Sequence, residues 1–217
     1  AIKPIDTHHA ITRLLALENT IGGQILPASY VDAACRLARE NGLSLHLDGA
    51  RLFNAAVASA VSVAELARDF DTVSICLSKG LGAPVGSVLA GSRDMIEKGR
   101  RIRKLLGGGM RQAGIVAAAG LYALHNNVER LALDHENAEL LATGLARLPG
   151  VRVTLPDTNI VFVDLDGHDA AQVRNGFLSH GIGVGTATGN RLRLVTHLDI
   201  DRQGVAAALS AAQALFG

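Results

Sequence analysis

Two short stretches bring together groups that could share one reaction. Asp48-Gly49-Ala50-Arg51 offers a carboxylate and a guanidinium, and Ser78-Lys79-Gly80 offers an amine between a hydroxyl and a glycine. Each stretch follows an apolar run that reads as a β-strand, and ligands of open α/β sheets gather at the carboxyl ends of strands. An acid, an amine and a guanidinium suit pyridoxal 5'-phosphate (PLP). That cofactor needs a lysine amine to attach to and an acid beside its pyridine nitrogen, because a protonated ring draws charge better from a substrate α-carbon. The glycines beside Lys79 leave room for a planar ring and let the backbone come close.

The elements that must position these groups can be read along the chain. Leu14 to Leu17 is a short apolar run, followed by the loop-like Glu18 to Gly23. Pro27 opens a helix that Asn41-Gly42 stops. Leu43 to Leu47 alternates as a strand does and delivers Asp48. Ser62-Val63-Ala64-Glu65 is a capping box at the head of a short helix. Thr72 to Leu77, β-branched and apolar, delivers Ser78 and Lys79. Ser87 to Ala90 reads as a returning strand, and Ser92 caps a basic helix that ends at Gly107-Gly108-Gly109.

From Arg111 to about Arg147 the Ala- and Leu-rich, proline-free sequence predicts one long helix. Strands follow near Val151 and over Asn159 to Leu165, with a helix over Ala170 to Ser179. A hairpin is expected with arms Ile182 to Thr186 and Leu192 to Val195, and a final helix over Asp199 to Leu215. Alternating strands and helices predict a mostly parallel α/β sheet for the first part and a compact α+β unit for the last third. The division expected is 1–125, part of a cofactor-binding domain, and 126–217, a small α+β domain, joined by the long helical segment.

Composition narrows the setting. Hydrophobic residues make up 48% of the 217, enough for a substantial core, and the formal net charge of +1 gives no reason to expect nucleic acid or an acidic membrane. Cys35 and Cys76, both in apolar runs, build no disulfide framework, which fits a reducing cytoplasm. No His/Cys/Asp spacing resembles a metal site. His46, His125, His135, His168 and His180 read as structural, and Cys76 as a buried small hydrophobe. The start at Ala1, with no initiator Met, suggests a chain cut from a longer one.

Leu47-Asp48-Gly49-Ala50-Arg51 and Ser74-Ile75-Cys76-Leu77-Ser78-Lys79-Gly80-Leu81-Gly82 resemble the two core motifs of the low-specificity L-threonine aldolases, fold-type I PLP enzymes of aspartate-aminotransferase-like architecture. The resemblance continues in order through Leu17-Glu18-Asn19-Thr20, Gly107-Gly108-Gly109-Met110-Arg111-Gln112, Asp157-Thr158-Asn159 and Arg193-Leu194-Val195-Thr196-His197. It implies that Lys79 bears the cofactor and Asp48 pairs with its ring nitrogen, while Arg51 and Arg193 hold the substrate α-carboxylate. It also implies that His8 attends the substrate hydroxyl, and that Lys104 and Arg111 approach the cofactor phosphate, the latter two from a neighbouring subunit of a homo-oligomer. The reaction implied is retro-aldol cleavage of threonine or allo-threonine to glycine and an aldehyde. Members of that family carry a longer N-terminal part, so the resemblance is to their C-terminal portion.

Each residue also has a structural reading. Asp48 could cap a helix, Arg51 and Arg193 could be ion-pair partners, and Lys104 and Arg111 could belong to a solvated, basic helix end. Two other functions share the aspartate and lysine: a β-eliminating lyase or aminotransferase on the same fold, and a non-catalytic fragment that only associates with other subunits.

Overall fold

A computed structural model describes residues 2–185 and 187–217. The first part is a four-stranded sheet built from β1 (Leu14–Glu18), β2 (Ser44–Asp48), β3 (Thr72–Cys76) and β4 (Ser87–Gly91), in that order across the sheet. The first two pairings are parallel and β3–β4 is antiparallel, so the sheet is mixed and mostly parallel, as expected. Helices α1 (Ala28–Glu40), α2 (Leu52–Ser59) and α3 (Val63–Ala67) connect the parallel strands. The alternation in β2 sends Leu45 and Leu47 into the core, each worth about 1.5–3 kcal/mol when fully buried, and leaves Asp48 exposed at the strand end. Ser62 accepts the backbone N–H of Glu65, and Asn41 with Gly42 (φ +65°) ends α1, as their sequence signals predict.

The basic helix α4 (Arg93–Leu105) is capped by Ser92 and buries none of its residues. Beyond it the long helix expected from Arg111 is two helices, α5 (Gly114–Asn126) and α6 (Leu131–Leu145). Asn126 and Asn127 make the break. The Asn126 side chain bonds the Tyr122 carbonyl of its own helix, and Asn127 Nδ2 donates to Leu81 O at 2.7 Å, a tertiary bond that ends the helix. Asparagine competes for backbone groups in this way, and two in succession outweigh the good helix formers around them.

The last part is a second sheet, all antiparallel, in the order β5 (Val151–Thr154), β6 (Ile160–Leu165), β8 (Arg191–Val195) and β7 (Ala187–Thr188). Helices α6, α7 (Ala170–Ser179) and α8 (Arg202–Phe216) cover one face of it, around a core that includes Ala138, Leu145, Val161, Phe177, Leu192 and Ala212. The hairpin is shorter than its sequence suggests. Gly189, at φ +58°, and Asn190 form the turn, Thr188 pairs with Arg191, and residues 182–185 form no strand; Thr186 lies outside the described residues. The turn sits lower because Leu165 N bonds Asn190 O and Ala170 N bonds Gly189 O, which ties it to the end of β6 and the start of α7. The last helix starts at Arg202, not Asp199, because Asp201 caps it by accepting Gly204 N.

The loop after β1 fastens the two parts together. Ile21 and Gln24 exchange backbone hydrogen bonds around Gly22 and Gly23, both at positive φ, a tight turn that a side chain would strain. A Cβ on Gly23 would stand 2.7 Å from Ile160 Cβ. Thr158 Oγ1 donates to Gly23 O at 2.6 Å, and Ile25 N donates to Asp157 at 2.9 Å, so Asp157 and Thr158 have a latching role here.

Candidate active site

The carboxyl ends of β2 and β3 lie side by side. Asp48 pairs in register with Ser74, and Gly49 N donates to Ser74 O at 2.8 Å, so the chain leaves β2 hugging β3. A Cβ on Gly49 would meet that carbonyl oxygen at 2.9 Å and Leu52 Cβ at 3.1 Å, neither of which can swing away. Gly49→Ala is therefore expected to cost ~1–3 kcal/mol of stability, read as a lower midpoint in chemical denaturation. The Asp48 carboxylate accepts Ala50 N at 3.0 Å, which fixes its direction. Arg51 follows at once as the residue that opens α2.

Lys79 lies exposed in the turn that leaves β3. Gly82 N bonds Lys79 O at 2.9 Å and Ala83 N bonds Leu77 O at 2.9 Å, which closes the turn through the backbone and leaves the amine without a partner among the described residues. Cys76 is half-buried, not buried as its apolar neighbours suggest. Its thiol faces Ser78 Oγ at 3.5 Å because the strand is ending there.

The electrostatics centre on Arg51. Its Nε is buried and has no hydrogen-bond partner among the described residues. Burial first, and then the positive charge of Arg193, push its guanidinium below the usual arginine range, while Glu18 and Cys76 act weakly the other way. Two guanidiniums thus lie near enough for the charge of one to act on the other, and Arg51 is half-buried with an idle donor. Like charges are not brought together to stabilise a fold; the arrangement fits an anion with two oxygens. Arg193 stands on β8, where it pairs with Phe162 on the β6 strand that the glycine turn grips.

Of the residues singled out in the sequence, Asp48 and Arg51 stand where the chain leaves β2, Lys79 lies in the turn that leaves the neighbouring β3, and Arg193 acts on Arg51 through its charge. His8 lies on the exposed N-terminal segment, where its N–H bonds Asp6 Oδ1 at 2.7 Å. Lys104 and Arg111 are exposed at the end of α4 and beyond it, with the Lys104 amine beside Gly109. No hydrogen bond or ion pair joins these three to Asp48 or Lys79 among the described residues.

Several residues near the site were not singled out. Glu18 ends β1 directly opposite Asp48, and the strand-end rule that found Asp48 would have found it too. Asn54, Asn127 and His135 support the lysine turn, but carry no local signal. His135 is half-buried, and that burial holds its imidazole below the usual value of 6.5, with Asp134 opposing. The unfolded chain takes up a proton below about pH 6.5 while the folded protein resists it, so this stability is present above about pH 6.5 and is lost as pH falls through the lowered folded value. The melting temperature is expected to decline below about pH 6.5, with His135→Gln flattening that decline; equal declines in both proteins would remove His135 as the cause.

Comparison with known proteins places these motifs. A family model described as beta-eliminating lyase matches residues 1–168. The low specificity L-threonine aldolase of Escherichia coli O157:H7 is 49% identical over 205 residues, covering 94% of this chain and 61% of that protein. The low-specificity L-threonine aldolase 1 of Arabidopsis thaliana is 43% identical over 216 residues, covering 96% and 60%. The solved structure of Leishmania major threonine aldolase superposes with a TM-score of 0.82 at 23% identity, over 98% of this chain and 64% of that one, a likeness of fold. The chain thus spans about three fifths of the length of the curated relatives it matches.

Proposed function

The chain belongs to the beta-eliminating lyase family, and from that membership we propose that it is part of a PLP-dependent threonine aldolase, cleaving β-hydroxy-α-amino acids such as L-threonine and L-allo-threonine to glycine and an aldehyde. The observation that carries the reading is the buried Nε of Arg51, unpartnered among the described residues and subject to the charge of Arg193, at the exit of the strand that presents Asp48, with the neighbouring strand leading to the turn that carries Lys79. The residues fit the cofactor. Asp48 has a fixed carboxylate at the mouth of the sheet, the Lys79 amine has no partner among the described residues, and the glycines at 49 and 80 keep side chains out of the way.

Lys79 would hold the cofactor through its amine, with Asp48 keeping a proton on the ring nitrogen. When bound, PLP supplies an electron sink conjugated to the substrate α-carbon. Arg51 and Arg193 would grip the α-carboxylate, and two forks on one carboxylate would fix how the substrate is turned, an orientation effect. His8 is assigned to orient the β-hydroxyl and take its proton as the Cα–Cβ bond breaks.

Lys104 and Arg111 are assigned to the cofactor phosphate, across the interface of a homo-oligomer. In support, both stand among strongly exposed apolar side chains, with Leu105 at 73% exposure, Leu106 at 82% and Ile115 at 83%. Apolar surface of that kind marks contact with another chain. Residues 1–125 are assigned to cofactor binding and 126–217 to the small unit. A cytoplasmic setting is supported by the free thiols of Cys35 and Cys76; among the described residues no helix is long and apolar enough to cross a membrane.

The test supplies threonine, allo-threonine and a β-substituted amino acid to the PLP-loaded whole protein and measures aldehyde against ammonia and pyruvate. Aldehyde from the first two is expected. Pyruvate and ammonia alone would assign a β-eliminating lyase and overturn the aldolase reading.

A further inference from the structure

The turn that carries Lys79 rests on helix α6 of the small unit, and the contacts are specific. Gly80 is buried, and a Cβ there would stand 2.9 Å from Leu131 Cδ2 and 3.4 Å from Asn54 Oδ1. Leu131 is fully buried and belongs to the same apolar cluster as Leu77 and Leu81, the residues that flank the turn. His135 stands one helical turn beyond Leu131 on the same face of α6, and its Nε2 lies 3.1 Å from Asn54 Nδ2. Asn54 itself is 3% exposed and sits one turn into α2, the helix that Arg51 opens. A buried amide beneath Gly80 and a half-buried imidazole have therefore found each other across 81 residues of sequence.

The same stretch of α6 is also bonded to the segment that follows β8, the strand that bears Arg193. Thr196 Oγ1 donates to Asp134 O at 2.6 Å, and Asn137 Nδ2 donates to Ile200 O at 2.9 Å. One helical stretch thus touches the lysine turn, the Arg51 helix through Asn54, and the end of β8. This amide–imidazole pair has direction as well as energy, because the Asn54 amide left alone would be buried with an unsatisfied donor.

We infer that Asn54 and His135 are positioning residues that seat the Lys79 turn against the Asp48–Arg51 strand end. The pair touches neither substrate nor cofactor. With Asn54 Nδ2 as donor, His135 Nε2 accepts, which fixes the neutral tautomer with its proton on Nδ1. A side chain of similar size that can accept at the Nε2 position preserves the seat, and one that cannot loosens it. This inference rests on Lys79 bearing the cofactor.

The test uses the whole protein loaded with PLP and four variants or forms: unsubstituted, Asn54→Ala, His135→Leu and His135→Gln. Borohydride trapping followed by peptide mapping gives the fraction of Lys79 labelled against added PLP, the visible absorption band reports the bound cofactor, and kcat and KM are measured for threonine. Asn54→Ala and His135→Leu are expected to raise half-saturating PLP and lower kcat by about tenfold each, with KM changed less than about twofold; His135→Gln restores both. Leu and Gln differ in hydrogen bonding at nearly equal size, so their comparison stands even where Asn54→Ala fails to fold. Equal saturation and kcat in the unsubstituted and Leu forms would overturn the inference, and so would a Gln form as impaired as the Leu form. Absence of label on Lys79 in the unsubstituted protein would overturn the cofactor reading and this inference together.

Discussion

Replacing Lys79 by alanine is expected to abolish borohydride labelling of its peptide and to lower aldehyde release from threonine on the order of a thousandfold or more. The side chain is exposed and its turn is closed by backbone bonds from Gly82 and Ala83, which alanine keeps. The melting temperature should therefore hold, so lost activity would report lost chemistry and not lost fold. Lys79→Arg sharpens the result, since arginine keeps a positive charge but offers no amine of ordinary basicity to attach the cofactor. Label on another lysine in both variants would move the cofactor elsewhere and undo the assignment of Asp48 with it.

What the sequence made legible follows from how local each signal is. Asp48 and Lys79 stand out because a strand and its turn are written in consecutive residues, and the capping of α3 by Ser62 and of α4 by Ser92 needs only four. The break between α5 and α6 was hidden for the opposite reason. Ala- and Leu-rich sequence favours one helix on average, and the bond from Asn127 to Leu81 O that ends it spans 46 residues. His135 looked like one more helix histidine until Asn54 was seen beneath Gly80. The arm of the hairpin before Thr188 failed as a strand because its apolar alternation runs through Gly181, Gly183 and Gly185, which weaken a strand, and the Gly189–Asn190 turn is anchored elsewhere. Resemblance alone pairs Arg51 with Arg193 in the sequence; only the fold brings the charge of Arg193 to bear on Arg51.

That pair gives the second large effect, and it separates activity from stability. In the free protein Arg51 is a half-buried charge with an idle Nε and a like charge nearby, so it opposes folding locally; bound to an α-carboxylate it gains a strong partner. Arg51→Leu is accordingly expected to lower kcat/KM for threonine about a hundredfold, on the order of 3 kcal/mol, through a higher KM, while the borohydride label on Lys79 persists. Its melting temperature should not fall below that of the unsubstituted protein, which is the reverse of most losses of a half-buried side chain. Arg51→Lys restores charge without the fork and should recover only part of the loss. A small dicarboxylate added to the unsubstituted protein should raise its melting temperature by binding the folded state alone, and should leave Arg51→Leu unmoved. A fall in melting temperature with unchanged KM would make Arg51 a structural ion-pair partner, and the anion site would then have to be sought at Arg193 by itself.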